Sequence, residues 1–584
     1  MPTVSLRSDH GAATRSPRPV PTDLLVGPVG ETAGVNRVVL VRRPEAVVEA
    51  REVDDDGTVG TATRLPADSL AEFVRTREAT RWVWDDTTRW YPALLDAGVR
   101  VERCADLRLR HAVLRGSPFV DQALLRGPDA GAWRALEPVT PADPGLFPPA
   151  DPADRLDPIA EHLRQQAALA ASPERRRLGL LLAAESSGAL VAAEMTHAGL
   201  PWRADVHDRL LTELLGPRPA PGQRPAVLER LLGELRTAFG TPGLNPDSPG
   251  ALLSALHGAG LPVADTRSWT LEQLDHPGIP PLLEYKKLSR LLQANGWNWL
   301  DTWARDGRFR SWFLPGGVVT GRWASNGGGA LSVPLQVRPA AVADEGWRFV
   351  VADVAQLEPR VLAGMSGDSA MAEAARASDL YQGMVDSGAV ASRAEAKVGM
   401  LGAMYGGTRG ESGRMMPRLT RRYPRAIGLV EEAARAGERG EVVHTLLGRG
   451  SPAPSGAWTD RPVELGEPPE AGGSREDRDR HRRAWGRFTR NFVVQGTGAE
   501  WALCWLAHLR NRLWRLGSGP LADRPHLVFF LHDEVVVHTP AGLADAVTEE
   551  VRRAAAEAGR LLFGTFPVDF PLDVSVVGSW ADAG

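Results

Sequence analysis

Short runs of β-branched and aromatic residues mark the first part of this chain. RVVLVRR (37–43), RWVWDD (81–86) and VRVERCADL (99–107) predict strands interleaved with helices up to about residue 190. From 158 to 300 the apolar positions recur at helical spacing, ending in EYKKLSRLLQANGWNWLDTW (284–303). WRFVVADV (347–354) predicts another strand, followed by a helical block through about 440. Helix resumes to about 516, and DVSVVGSW (573–580) supplies a last strand. The densest apolar stretch, LVFFLHDEVVVHT (527–539), predicts one buried strand, yet its centre is His532-Asp533-Glu534. Between these elements lie a Pro/Gly/Ser/Thr-rich tail (1–36) predicted to be disordered, a Pro/Asp connector (139–158) and a second flexible segment (448–474). There is no internal repeat.

Burying a carboxylate without a partner costs several kcal/mol, roughly, or forces it to take up a proton. Asp533 and Glu534 therefore ask for compensation. So does Asp353, delivered by the second apolar strand. Each aspartate alone is also compatible with a turn or cap. As a pair they suit a cation bound through oxygen, Mg²⁺ or Mn²⁺ rather than zinc. Two such ions roughly 4 Å apart is the arrangement for in-line displacement at phosphorus.

Composition narrows the setting. A chain of 584 residues with 43% apolar and 24% charged residues fits two to four globular domains. Two cysteines, Cys104 and Cys504, exclude a disulfide framework and a four-thiolate metal site, which points to a reducing, cytoplasmic compartment. No signal peptide and no apolar run near 18 residues is evident, so no membrane partner is expected. The net charge of −4 does not by itself announce nucleic acid, but arginines cluster late, in RMMPRLTRRYPR (414–425) and around 475–483. Of 68 Lys and Arg residues only Lys286, Lys287 and Lys397 are lysine. In that background a lysine marks a place where arginine does not serve.

Lys397 lies in SRAEAKVGMLGAMYGG (392–407). Ser392 and Glu395 predict a capping box, and Gly406-Gly407 a helix C-terminus. Arg393, Lys397, Leu401 and Tyr405 recur every fourth residue and share one face. Two cations followed by apolar and aromatic surface suit a nucleoside triphosphate. An amphipathic helix with snorkelling cations fits the same pattern.

Three segments together resemble the polymerase motifs of family A DNA polymerases. DVAQLEPR (353–360) resembles the family's Asp-Tyr-Ser-Gln-Ile-Glu-Leu-Arg. RAEAKVGMLGAMYG (393–406) resembles its Arg-x3-Lys-x3-aromatic-Gly-x2-Tyr-Gly helix, and HDE (532–534) its third motif. TGRWAS (320–325) and RFTRNFVVQGT (487–497) resemble its primer-template segments; LNPDSPGAL and LLEYKKL resemble its thumb. The resemblance implies an α/β (α+β) right-hand fold over 181–584. The thumb would span about 190–300, the palm about 301–372 and 488–584, and the fingers about 373–487. It further implies that Asp353, Asp533 and the Val354 carbonyl hold two Mg²⁺ ions, with Mn²⁺ able to substitute. Glu534 would stand beside the metals. Arg393 and Lys397 would bind the triphosphate, Lys397 also acting as an acid toward the leaving pyrophosphate. Tyr405 and Glu358 would exclude ribonucleotides. Gln356, Arg322, Arg487, Asn491, Gln495 and His532 would touch primer, template or the nascent pair. The expected partners are primer-template DNA and deoxynucleoside triphosphates, and the expected state is a monomer in the cytoplasm, at the nucleoid.

Two departures stand out. Leu401 replaces the family's aromatic residue, so weak use of dideoxynucleotides is expected. Val354-Ala355 replaces Tyr-Ser, which a carbonyl ligand tolerates. More faintly, residues 37–180 resemble the family's ribonuclease-H-like 3′–5′ exonuclease domain, as in the short bacterial form that lacks a 5′-nuclease domain. The first strand lacks Asp-x-Glu, and Trp90, Leu182 and Ser186 stand where catalytic residues are expected. Asp85, Asp86, Asp106 and Glu185 remain nearby. A lost exonuclease that braces the polymerase is the expectation. The competing readings are a polymerase with residual exonuclease, a catalytically weak DNA-binding scaffold, and a nuclease of the same two-metal logic.

Overall fold

The computed structural model describes residues 36–77, 79–139, 156–329, 333–376, 379–407, 410–454 and 475–583. The predicted tail, most of the connector and residues 455–474 of the second segment lie outside them. Within the chain's first part, β1 (Arg37–Arg43), β2 (Val47–Val53), β3 (Thr63–Pro66), β4 (Arg81–Trp84) and β5 (Arg103–Asp106) form one sheet in the order β3-β2-β1-β4-β5. β1, β4 and β5 run parallel; β2 and β3 run antiparallel. Helix α1 (Thr87–Asp96) follows β4 and α2 (Leu107–Gly116) follows β5. One sheet face packs Trp82, Trp84, Tyr91 and Leu94; the other packs Val39, Val83, Ala105 and Trp133. Period-2 alternation lets one sheet serve two cores.

Helix α3 (Pro158–Ala171) leads into α4 (Arg175–Ala198), the joint of the molecule. α4 touches α1, α2 and β5 on one side and the C-terminal half on the other. It is buried nearly all round, and by length and composition it could cross a membrane, which the sequence reading overlooked; 72% of its most apolar window is buried in this fold. A helical layer follows, including α5 (Ala226–Ala238) and α6 (Ile279–Asn295), with Lys286 holding the Thr266 carbonyl at 2.6 Å.

The next strand, β6 (Trp347–Val354), matches its predicted bounds. Helices α7 (Leu357–Ser366), α8 (Leu380–Asp386), α9 (Arg393–Tyr405), α10 (Gly410–Arg422) and α11 (Pro424–Glu438) come next, then α12 (Arg475–Arg515), 41 residues long. β7 (His526–Leu531), β8 (Glu534–Pro540) and β9 (Leu572–Val577), with α13 (Ala544–Phe563) between the last two, complete a four-stranded sheet with β6, ordered β7-β8-β6-β9 and wholly antiparallel.

Two expectations are corrected here, the single strand and the extent of the second flexible segment. LVFFLHDEVVVHT is a hairpin, β7 and β8, and its polar centre is the turn. The boundaries expected at 180/181, 372/373 and 487/488 fall inside helices Arg175–Ala198, Ser369–Ala375 and Arg475–Arg515. Residues 448–454 belong to a docked loop. His444 bridges to Gly450, Arg449 pairs with Glu185, and Glu500 accepts from the Leu447 N–H at 3.0 Å.

Candidate active site

β6 ends at the cleft with Asp353, register partner of Glu534 on one side and Asp573 on the other. The adjoining turn brings Asp533 alongside, its carbonyl accepting from the Val354 N–H at 3.1 Å. The turn is tight: Asp533 N–H donates to the Leu531 carbonyl at 2.7 Å across His532, whose φ is 56°. An i→i+2 bond at positive φ is the strained form of γ-turn, and a non-glycine residue there costs about 1–2 kcal/mol. Gln356, three residues after Asp353, has φ 51°. So both aspartates border left-handed non-glycine backbone, and such strain concentrates where function over-determines conformation. Gln356 is held there by its side-chain oxygen, which accepts from Leu380 N–H (3.1 Å) and Arg360 (3.3 Å). Arg360, fully buried, also donates to the carbonyls of Ala355 and Asp569.

Asp353 opens to the cleft, yet its carboxyl is pushed up to about 7 by the desolvating walls first, then by Asp533, Glu534 and Asp573. Burial likewise raises Asp533, with Arg322 opposing. Neither aspartate has an ion-pair partner among the described residues. Glu534 is taken by the Trp580 indole (2.7 Å) and faces Arg338 at 3.6 Å, off to the side. Two clustered aspartates without an ion pair of their own fit a hard divalent cation. Among the described residues no three acidic, His or Cys side chains suffice to hold a metal alone. Further oxygens must come from backbone, water or substrate, which is how Mg²⁺ is ordinarily bound.

α9 packs against α8, α10 and α12, and its predicted ends are the observed ones. Ser392 accepts from the Glu395 N–H, Glu395 accepts in return from the Ala391 N–H, and Gly406 closes the helix at φ 78°. Ala396, Met400, Ala403 and Met404 are buried, so Arg393, Lys397 and Leu401 are left on the exposed face. Arg393 is braced by Asp379 at 2.5 Å and lies over the Tyr381 ring. Lys397 makes no ion pair among the described residues. Tyr405 donates to Glu358 at 2.7 Å, and Arg322 donates to the other Glu358 oxygen at 2.5 Å. Burial first and Glu358 second raise the Tyr405 hydroxyl to about 12, so it stays a donor. Beside this bridge a pocket is lined by Arg322, Trp323, Glu358, Leu503, His532 and Asp533.

α12 supplies the rest. Arg487 packs over Gly406, Gln495 lies beside the Tyr405 hydroxyl, and Asn491 is buried with its amide nitrogen unpartnered among the described residues. Contacts link Asp353 with Glu534 and Asp533, and Tyr405 with Glu358, Arg322 and Gln495. Arg393, Lys397 and Leu401 share the exposed face of α9 and make no hydrogen bond or ion pair with Asp353 or Asp533. The structure adds Asp573, Arg360 and Arg490. Asp573 was legible as an acid on a third apolar strand. Arg490, which ties α12 to the Ala403 carbonyl and Glu431, carries no sequence signal.

The four acidic residues of the first domain are otherwise engaged. Asp86 caps α1 and pairs with Arg108; Asp106 caps α2 and accepts from Thr87 N–H. Asp85 accepts from the Trp90 indole, and Glu185 pairs with Arg449. Burial raises Asp85, and raises Asp106 to about 6. Ser186 donates to the Leu182 carbonyl and accepts from Asp106 N–H.

The family model for DNA polymerase family A matches residues 257–582, more than half of the chain. A thermostable DNA polymerase I of Thermus filiformis is 28% identical over 344 residues, covering 53% of this chain and 37% of that protein. DNA polymerase I of Chloroflexus aurantiacus is 27% identical over 338 residues, covering 52% and 32%. The chain spans about a third of the length of these curated relatives. Among solved structures, the POL domain of Pol1 from M. smegmatis, in complex with DNA primer-template and dNTP, superimposes with TM-score 0.66 at 20% identity. That match covers 94% of this chain and 96% of that one.

Proposed function

Because the chain belongs to DNA polymerase family A, we propose that it extends a primer 3′-hydroxyl with deoxynucleoside triphosphates selected by a DNA template, in replication or repair gap filling. The observation that carries this reading is Asp353. Its carboxyl is crowded by three others and makes no ion pair among the described residues, and it is exposed, as are Arg393 and Lys397 on α9. Binding without chemistry needs no such uncompensated carboxylates, which disfavours the scaffold reading.

Polymerases of this family generally use divalent metals such as Mg²⁺. Here Asp353, Asp533 and the Val354 carbonyl would hold them. When bound, the metal ions supply activation of the 3′-hydroxyl and neutralisation of charge on the reacting phosphates. Arg393, fixed by Asp379, receives the triphosphate, and Lys397, one turn on, stands at the leaving pyrophosphate. An ammonium can yield its proton there; a guanidinium cannot. Gln356, Arg322, Arg487, Gln495 and His532 would contact the primer-template, and the unpartnered amide of Asn491 offers it a donor.

The Tyr405–Glu358 bond forms a wall where a sugar 2′-hydroxyl would fall. Glu358→Ala is expected to relax ribonucleotide exclusion by about 10- to 100-fold, since steric and polar discrimination of this kind is worth about 1–3 kcal/mol. Single-turnover incorporation of matched ribo- and deoxynucleotides measures it; an unchanged ratio contradicts the assignment. Leu401, exposed between Lys397 and Tyr405, offers no ring to the sugar, which supports weak use of dideoxynucleotides.

The reading is tested by offering one deoxynucleotide at a time on a template of known sequence. Incorporation of only the complementary one supports it. Addition independent of the template, or none, contradicts it. The first domain is proposed to be a brace without exonuclease activity, because Asp86 and Asp106 are spent on helix caps, Asp85 on the Trp90 indole and nearby Glu185 on Arg449. A labelled primer incubated with Mg²⁺ and no nucleotides is expected to keep its length; progressive shortening that survives Asp533→Asn would show a working exonuclease.

A further inference from the structure

Arg37, Arg81 and Arg103 stand side by side on β1, β4 and β5, each register partner to the next. They are the first residues of three parallel strands, at the opposite end of the sheet from Asp85, Asp86 and Asp106. Two residues further along each strand, Val39, Val83 and Ala105 belong to the core that Ile159 and Leu163 of α3 cover. Alternation therefore puts the three arginines on the α3 side. Arg110 from α2 and His162 from α3 lie within electrostatic range of both Arg37 and Arg81, and His162 within range of Arg110.

The acids nearby do not balance this charge. Asp55 pairs with Arg37 and Glu102 with Arg103, both at the exposed rim. Glu161 is turned to His111 and Arg164. Arg81 and Arg110 have no acidic partner among the described residues, and the Nε of each is buried and unpartnered there. Arg110 is 8% exposed, and burial first, then Arg81 and Arg37, bring its guanidinium down to about 10. His162 is 1% exposed. Gln166 Nε2 approaches its Nε2 at 2.8 Å and can only donate, so the ring hydrogen stands on Nδ1, which is also buried without a partner. Three orphaned donors on two guanidiniums and an imidazole are a costly arrangement unless an anion accepts from them.

We propose that Arg81, Arg110 and His162, with Arg37 and Arg103 at the mouth, form a phosphate-binding site. Two guanidinium forks and an N–H offer more donors and charge than one planar carboxylate absorbs, whereas a phosphate accepts on several tetrahedrally placed oxygens. The phosphate comes either from a nucleic-acid backbone or from a free phosphate or nucleotide. The site shares no residue with the polymerase cleft and does not depend on that reading.

Thermal unfolding of the full chain, in chloride buffer at constant ionic strength with increasing inorganic phosphate, tests it. The wild-type Tm is expected to rise and saturate. In Arg110→Met and in Arg81→Gln the apparent phosphate affinity falls at least tenfold, with primer extension unchanged. Arg110→Met removes an uncompensated buried charge, so its Tm without phosphate should not fall below the wild type's. Arg81→Gln, at a half-buried position, keeps the test open should Arg110→Met misfold. An unphosphorylated single-stranded oligonucleotide separates the two sources. Suppression of the phosphate-dependent rise assigns the site to backbone phosphate, and an undiminished rise assigns it to free phosphate. The same rise in the wild type and both variants, an adventitious ion only, overturns the proposal.

Discussion

Asp353→Asn is expected to lower the rate of primer extension by about 10³-fold or more, on the scale of losing one preorganised charge-stabilising group in an active site. The same substitution is expected to stabilise the metal-free protein at pH 8. The folded-state carboxyl sits at about 7, above the ordinary carboxylate value, because of desolvation and three neighbouring acids. Between roughly pH 4 and 7 the folded chain therefore binds a proton that the unfolded chain releases, and stability falls as pH rises through that window. Asn carries no charge and escapes the fall. Calorimetry in chelator from pH 4 to 8 should show the two proteins diverging as pH rises, the variant ending more stable. A variant that extends primers normally, or a wild type that gains stability across that window without metal, contradicts the assignment.

Arg510→Met is expected to destabilise the chain by about 3–5 kcal/mol, the cost of leaving one member of a buried pair uncompensated. Arg510 on α12 reaches Glu194 on α4 at 2.7 and 2.8 Å, the Glu102 carbonyl at 2.9 Å and the Val101 carbonyl. Tyr91 on α1 donates to Glu194 at 2.6 Å, and Arg100 stands 3.4 Å away. One buried cluster thus ties the first sheet, the joint helix and the polymerase core. Burial alone would raise the Glu194 carboxyl, but Arg510 and Arg100 prevail and hold it below its ordinary value. A depressed acid contributes stability above its unfolded pKa and loses it as pH falls through the folded one. The deficit of Arg510→Met should therefore be full at pH 7 and shrink below about pH 4.5. Urea unfolding at pH 7 and pH 4 measures this. A deficit under 1 kcal/mol at pH 7 would mean that the first domain does not brace the rest.

Helix α9 was legible to its ends because Ser392, Glu395 and Gly406 perform local jobs that any context would require. β6 was legible because an unbroken buried strand announces itself by composition. LVFFLHDEVVVHT misled because both arms of the hairpin are buried and no Gly, Asn or Pro punctuates the reversal; His532 takes the left-handed position instead. The helices α4 and α12 run through two of the expected domain boundaries, and a helix that packs on several sides gives no signal in the sequence of where one unit ends. Asp353 and Asp533 stood out as carboxylates in apolar surroundings. The Glu358 bridge to Tyr405 and Arg322 could not be read, because its three members come from separate elements and meet only through the fold. The leftover acids of the first domain were visible as residues, but their use as caps and ion pairs was not.

The most direct test of the central claim is the length of a labelled primer on a template, incubated with Mg²⁺ and the four deoxynucleotides, for the wild type beside Asp533→Asn. Extension to the template end by the wild type, lost in the variant while its folding is intact, is the predicted result. An unextended primer with the wild type, or equal extension by both proteins, would contradict it.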